Sequence, residues 1–131
     1  MKIAAIDVGL KRIGLAICLD GAIVLPQDAI LRKNRNQAAG EVMRFLAIWE
    51  IDTLVVGLPK GGSSEAEMQR RIKHFVSLLA LPDATAVYYQ DEYGSSMEAK
   101  EQMAGVVKQR RDGRIDSMAA KIILERWLAC I

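Results

Sequence analysis

The sequence predicts an α/β domain: a five-stranded mixed sheet, made of an antiparallel meander plus two parallel strands, with helices on both faces. Three observations carry this expectation. The chain opens with three short apolar runs separated by tight turns. Beyond them, apolar runs alternate with segments of helical periodicity. The runs IAAI and DTLVVGL are continuous, as strands covered on both faces require.

Residues 3–8 read as the first strand, and GLKR as a hairpin turn in which Gly9 can take positive φ. Residues 13–19 then pair antiparallel with it. Asp20-Gly21 is a second hairpin signal, and residues 22–25 begin a third strand before Pro26. Residues 34–50 read as a helix capped by Asn34 or Asn36, with Val42, Phe45, Leu46 and Trp49 at helical spacing. Residues 52–58 form a buried-type strand, closed by Pro59 and a flexible Lys60-Gly61-Gly62 loop. Ser64 and Glu67 match a capping box for a helix to about Ala80, with Met68, Ile72, Phe75 and Leu79 as its apolar stripe. Residues 84–89 form a third buried-type strand, ending at Asp91-Glu92. Ser95 and Glu98 match a second capping box, for a helix to about Val107. The basic segment KQRRDGR reads as a mobile loop, and a last helix starts near Ile115.

A chain of 131 residues with no linker or repeat is expected to form one domain over residues 1–131. At 51% hydrophobic and 26% charged residues the composition is that of a globular protein. The longest apolar runs fall short of the roughly 20 residues of a membrane span. Asp7 interrupts the only N-terminal apolar stretch, so no secretory signal is expected. Cys18 and Cys130 are far apart in apolar contexts, which suggests buried, reduced thiols and a cytoplasmic location. The net charge of +2 does not announce a nucleic-acid binder, but the cations are grouped. Arg32, Lys33 and Arg35 form one cluster, Arg70, Arg71 and Lys73 a second, and Lys108, Arg110, Arg111 and Arg114 a third. Such clusters hold phosphates when they share a face, and are solvated surface when they do not. His74, beside the second cluster and off the apolar stripe, reads as a surface residue.

Three carboxylates stand out by position. Asp7 and Glu92 end strands, where a carboxylate is either a turn cap or part of a site. Asp116 heads a helical stripe of Ala119, Ala120, Ile123, Leu124 and Trp127, with Ser117, Lys121 and Glu125 on another face. If that stripe packs on the sheet, Asp116 meets the ends of the strands carrying Asp7 and Glu92. Converging carboxylates repel unless a cation joins them. With no His or Cys nearby, the hard oxygen set suits Mg²⁺ or Mn²⁺. Two such ions about 4 Å apart support in-line displacement at a phosphodiester.

IDVGLKRIGLA, VVGLPKGG, QDEYGSS and RIDSMAAKIILE, in this order, resemble the YqgF/RuvX family across essentially the whole chain. The resemblance implies an RNase H-like fold related to RuvC-type resolvases. It also implies a two-metal-ion nuclease acting on nucleic acid in 5′-end maturation of precursor 16S ribosomal RNA, with ribosomal particles as partners. An older reading of the family is resolution of branched DNA junctions. By motif, Asp7, Glu92 and Asp116 match the family's acids and thus the catalytic and metal-ligand positions. Gly9, Lys11, Arg12, Lys60, Ser96, Arg110, Arg111 and Arg114 fall at expected substrate-binding positions. Two residues depart from the pattern. Tyr93 stands where the family usually has Arg, and Tyr lacks that residue's bidentate donors. Asp112 stands where members often have Lys. These departures keep a non-catalytic RNA-binding role open as an alternative. Nucleotide binding on a related actin-like fold is another, although that arrangement needs two facing domains.

Overall fold

The computed structural model describes residues 1–92, 99, 101 and 113–131. Its sheet starts as a hairpin of β1 (Ile3–Val8) and β2 (Arg12–Cys18), paired from Ile3 opposite Cys18 to Val8 opposite Ile13. The Gly9 N–H donates to the Arg12 carbonyl at 3.0 Å. A Cβ on Gly9 would lie 2.6 Å from that oxygen, so the turn needs glycine for close approach. It does not need the positive φ expected there, which occurs instead at Gly21, Gly61 and Gly62.

The third strand differs from its expected span. β3 runs over Leu25–Leu31 and passes through Pro26. Proline is tolerated because β3 lies at one edge of the sheet, where a missing N–H breaks no ladder. The preceding loop is held by Asp20, whose carboxylate accepts from the Ala22 and Ile23 N–H groups, both at 3.0 Å. On the other side of β1, β4 (Thr53–Leu58) and β5 (Ala86–Asp91) add in parallel, giving the order β3-β2-β1-β4-β5. β5 is not the buried strand its apolar composition suggests. It forms the second edge, and Tyr88 and Tyr89 are 47% and 40% exposed.

Helix α1 (Arg35–Ile48) starts at Asn34, not Asn36. Asn34 accepts from the Gln37 N–H at 2.8 Å while the Gln37 side chain accepts from the Asn34 N–H at 3.3 Å, a reciprocal capping box. Helix α2 (Glu65–Ser77) lacks the capping box its sequence suggests and ends before Ala80. Ser64 has φ −105° and ψ 13°, outside the extended geometry of a side-chain cap, and Glu67 pairs with Arg71 at 2.8 Å instead. Helix α3 spans Gly113–Cys130.

Both sheet faces are covered. Ala4, Ile6, Val8, Ile13, Leu15, Leu54 and Val56 pack with Val42 and Leu46 of α1 and Ile72 and Phe75 of α2. Ile3, Ala5, Ala16, Cys18 and Val55 pack with Ala120, Ile123, Leu124 and Trp127 of α3. Each continuous apolar run therefore splits by alternate residues between two layers. Cys18 is buried as expected, but Cys130 is exposed, because it ends α3 beyond the stripe that closes at Trp127. Of the helix expected from Ser95, Ala99 is described: it is buried and packs with Ala119 and Ile122. Glu101 is also described and is exposed, while the other residues of that helix and residues 108–112 lie outside the described residues. Among the described residues, no helix is long and apolar enough to cross a membrane.

Candidate active site

Parallel pairing brings the carboxyl ends of β1, β4 and β5 to one edge of the sheet. Side chains alternate along β1, so Asp7 shares the α3 side with Ile3 and Ala5 while Ile6 and Val8 face α1 and α2. Ile6 pairs with Val56, which sets Gly57 beside Asp7 one residue further on. Past the end of β5, the Glu92 N–H donates to the Leu58 carbonyl at 2.9 Å, continuing the ladder and directing Glu92 back over β4. A Cβ on Gly57 would lie 2.7 Å from Glu92 Oε2 and 2.5 Å from Ile123 Cδ1. The space of that missing side chain is what lets Glu92 reach toward Asp7.

The two carboxyl groups meet. Asp7 is held protonated well above the usual carboxylate range, first by burial, then by the charge of Glu92 and a side-chain hydrogen bond with it, then by the charge of Asp116. Glu92 is also raised, chiefly by burial and further by the Asp91 charge. The Asp7 hydrogen bond and the Arg126 charge oppose that rise. The physical picture is two mostly buried carboxyl groups brought together at the sheet edge, each pushed toward its protonated form.

Asp116 arrives from the third direction. In the first turn of α3 it accepts from Arg12 Nε at 2.6 Å, both side chains being about a quarter exposed. The approach of α3 is set by Gly14, which pairs with Asp7: a Cβ there would lie 2.0 Å from the Asp116 carbonyl oxygen. Ser117, expected on a polar face, is instead buried, and its hydroxyl accepts from the Leu15 N–H at 3.2 Å. That bond bridges the register shift between Ile13 and Leu15, where β2 and β3 lose regular pairing.

The other expected site residues are less concentrated. Gly9 and the exposed Lys11 lie in the β1–β2 turn, and the Lys11 carbonyl accepts from the Arg32 N–H at 2.8 Å. Lys60 is exposed after β4. Arg114 is exposed in the first turn of α3, in a cleft with Gln27, Asp28 and Ala29 of β3. Ser96, Arg110 and Arg111, with Tyr93 and Asp112, lie outside the described residues. Sequence reasoning passed over Gly14, Gly57, Ser117 and Arg126. The two glycines had a readable signal, since an isolated glycine in a buried strand marks close approach of another chain segment. Arg126, which donates to the Asp91 carbonyl at 3.4 Å, had none.

Among the described residues, no three Asp, Glu, His or Cys side chains stand close enough together to hold a metal ion. The donor chemistry nevertheless fits a hard divalent cation. Asp7 and Glu92 offer converging oxygens, both pushed toward the protonated form by burial, and a cation would supply the charge that favours their ionised forms. Asp116 would bring a third carboxylate from α3, one of whose oxygens accepts from Arg12.

Known proteins share this chain and this fold. A protein of Sulfurovum sp. (strain NBC37-1) named "Putative pre-16S rRNA nuclease" is 70% identical over 129 residues, covering 98% of this chain and 99% of its own. Identically named proteins of Sulfurimonas denitrificans and Campylobacter jejuni are each 54% identical, over 98% of this chain and 97% and 99% of their own. Among solved structures, Thermus thermophilus RuvC in complex with a Holliday junction substrate superposes with a TM-score of 0.64 at 12% identity, over 99% of this chain and 96% of its own. The fowlpox virus Holliday junction resolvase superposes with a TM-score of 0.61 at 12% identity over the whole of both chains. The fold is therefore the RNase H-like fold of RuvC-type resolvases, as the motifs imply. A family model described as RuvX, Holliday junction resolvase, matches residues 1–130, and the chain belongs to that family.

Proposed function

We propose that this protein is a cytoplasmic, divalent-metal-dependent nuclease that hydrolyses phosphodiester bonds in 5′-end maturation of precursor 16S ribosomal RNA. The carrying observation is the convergence of Asp7 and Glu92 at the sheet edge, where Glu92 fills the space beside Gly57, with the Asp116–Arg12 pair close by. Asp7, Glu92 and Asp116 would hold Mg²⁺ or Mn²⁺. When bound, such ions activate water and stabilise the leaving oxygen of an in-line displacement. The chain supplies the rest. Burial of Asp7 and Glu92 keeps bulk water from competing for their oxygens. Arg12, whose Nε is held by Asp116, would present the other N–H groups of its guanidinium to a phosphate. Lys11, Lys60 and Arg114 add positive charge on exposed turns around the same edge. The names of the full-length relatives support the RNA assignment.

The decisive experiment incubates purified protein and Asp7→Asn with precursor small-subunit RNA, with Mg²⁺ or Mn²⁺. Metal-dependent cleavage by the parent and its loss in the variant are expected. Equal cleavage by both would sink the proposal, and binding without cleavage in every metal would assign a non-catalytic role. The family's description favours a second reading, symmetric resolution of four-way DNA junctions. Two-fold cutting needs a dimer. A protein that stays monomeric with and without a junction would exclude it.

A further inference from the structure

Two basic clusters that lie far apart in sequence meet on the face of the sheet opposite Asp7. A cleft of about 260 Å³ opens between the β1–β2 turn, the β3–α1 connection and α2. Val8, Met68, Ile72 and Phe75 make it apolar, and Arg32, Arg35, Arg71 and His74 line it with polar and cationic groups. Arg32 is fixed in advance. Its Nη1 donates to the Gly9 carbonyl at 2.9 Å, and its guanidinium carbon lies 5.3 Å from the centre of the Phe75 ring. Among the described residues, neither Arg32 nor Arg35 has a carboxylate within ion-pair distance, while Arg71 is paired with Glu67.

This combination selects a ligand class. A cleft lined by apolar side chains and cations suits a flat ring carrying an anionic group. Its volume is slightly below the roughly 300 Å³ at which pockets for drug-sized molecules begin, which suits one base more than two. The cleft opens at the same end of β1 as the candidate active site but on its other face, since Val8 and Gly9 line it and Asp7 immediately precedes them. A strand crossing the β1–β2 turn passes from one side of the sheet edge to the other.

We propose that this cleft holds one unpaired nucleotide of the nucleic-acid substrate, its base against Met68 and Ile72 and its phosphate against Arg32, Arg35 and Arg71, next to the bond placed at Asp7 and Glu92. This inference rests on the nuclease reading for the identity of the strand. It makes the protein a reader of single-stranded segments flanking the cut, a preference that phosphate contacts alone do not provide.

The test is binding of a short labelled single-stranded RNA, followed by fluorescence anisotropy in EDTA so that cleavage plays no part. Arg35→Glu and Arg71→Ala alter exposed positions, and Met68→Trp fills the cleft without changing charge. Each is expected to weaken single-strand binding by about tenfold, and the two charge variants to flatten its salt dependence by roughly one unit of slope each. Affinity for a blunt duplex RNA should change much less. Unchanged single-strand affinity in the charge variants would overturn the proposal. So would a loss in the charge variants that Met68→Trp does not share, since that pattern describes a phosphate track without a base pocket. Adenosine monophosphate is the second probe: saturable binding to it, with oligonucleotide affinity unaffected by the variants, would assign the cleft to a free nucleotide and also overturn it. Cleavage by Asp7→Asn reports on the nuclease reading separately, because the binding measurement needs neither metal nor turnover.

Discussion

Arg12 Nε lies 2.6 Å from Asp116 Oδ2, joining the first residue of β2 to the first turn of α3. In metal-free protein the guanidinium occupies the place of a cation. It balances the charge of a carboxylate that raises Asp7.

Removing that balance should be visible without any assay of activity. Arg12→Ala is expected to destabilise the metal-free protein by about 1–2 kcal/mol, since it leaves a partly buried carboxylate without its charge-assisted bond. Added Mg²⁺ should restore more stability to this variant than to the parent, because the cation then supplies the positive charge that Arg12 gave to Asp116. Urea denaturation with EDTA or with Mg²⁺ measures both effects. A variant as stable as the parent in EDTA would show that the pair contributes nothing.

The raised Asp7 and Glu92 groups give a pH dependence of known sign. An unfolded aspartate titrates near about 3.9, whereas folded Asp7 keeps its proton well above that. Between these limits the folded state binds the extra proton, so stability is full below about pH 4 and falls as pH rises through the folded value. Asp7→Asn carries no such loss and still offers Glu92 a hydrogen-bond donor. In EDTA near neutrality it should be more stable than the parent by on the order of 1 kcal/mol, or about 4 °C in melting temperature. The two proteins should converge toward pH 4. Melting curves across that range decide, and a variant less stable than the parent at neutral pH would contradict the raised Asp7 group.

Gly57 offers a way to move Glu92 without altering any charge. Gly57→Ala puts a methyl group 2.7 Å from Glu92 Oε2 and 2.5 Å from Ile123 Cδ1, so one side chain must yield. A stability cost of about 1–3 kcal/mol is expected, together with divalent-ion affinity at least about tenfold weaker by calorimetry. Full affinity in a folded variant would mean that Glu92 takes no part in holding the ion.

Much of this architecture was legible before any coordinates. The continuous apolar runs announced strands covered on both faces, and the alternation of strand and helix announced the two parallel strands beside the meander. Asp116 was picked out because it heads an apolar stripe. Periodicity failed where edges and local bonds decide. β3 runs through Pro26 because an edge strand tolerates a missing donor, and β5, last in the strand order, exposes its tyrosines. Ser64 and Glu67 have the spacing of a capping box, but Ser64 has the wrong backbone angles and Glu67 binds Arg71.

By itself the sequence determined the layered fold and marked three acids as candidates for its carboxyl-end edge, because both follow from local pattern and chain order. Only the tertiary structure decided how those acids relate. Asp7 and Glu92 come together because Gly57 leaves room for the glutamate, and Asp116 meets Arg12 because Gly14 lets α3 settle on β2. It also merged two separate basic clusters into one cleft. Such relations depend on distances between residues up to about a hundred positions apart in the chain. No local pattern carries them, since they arise only when packing brings the elements together.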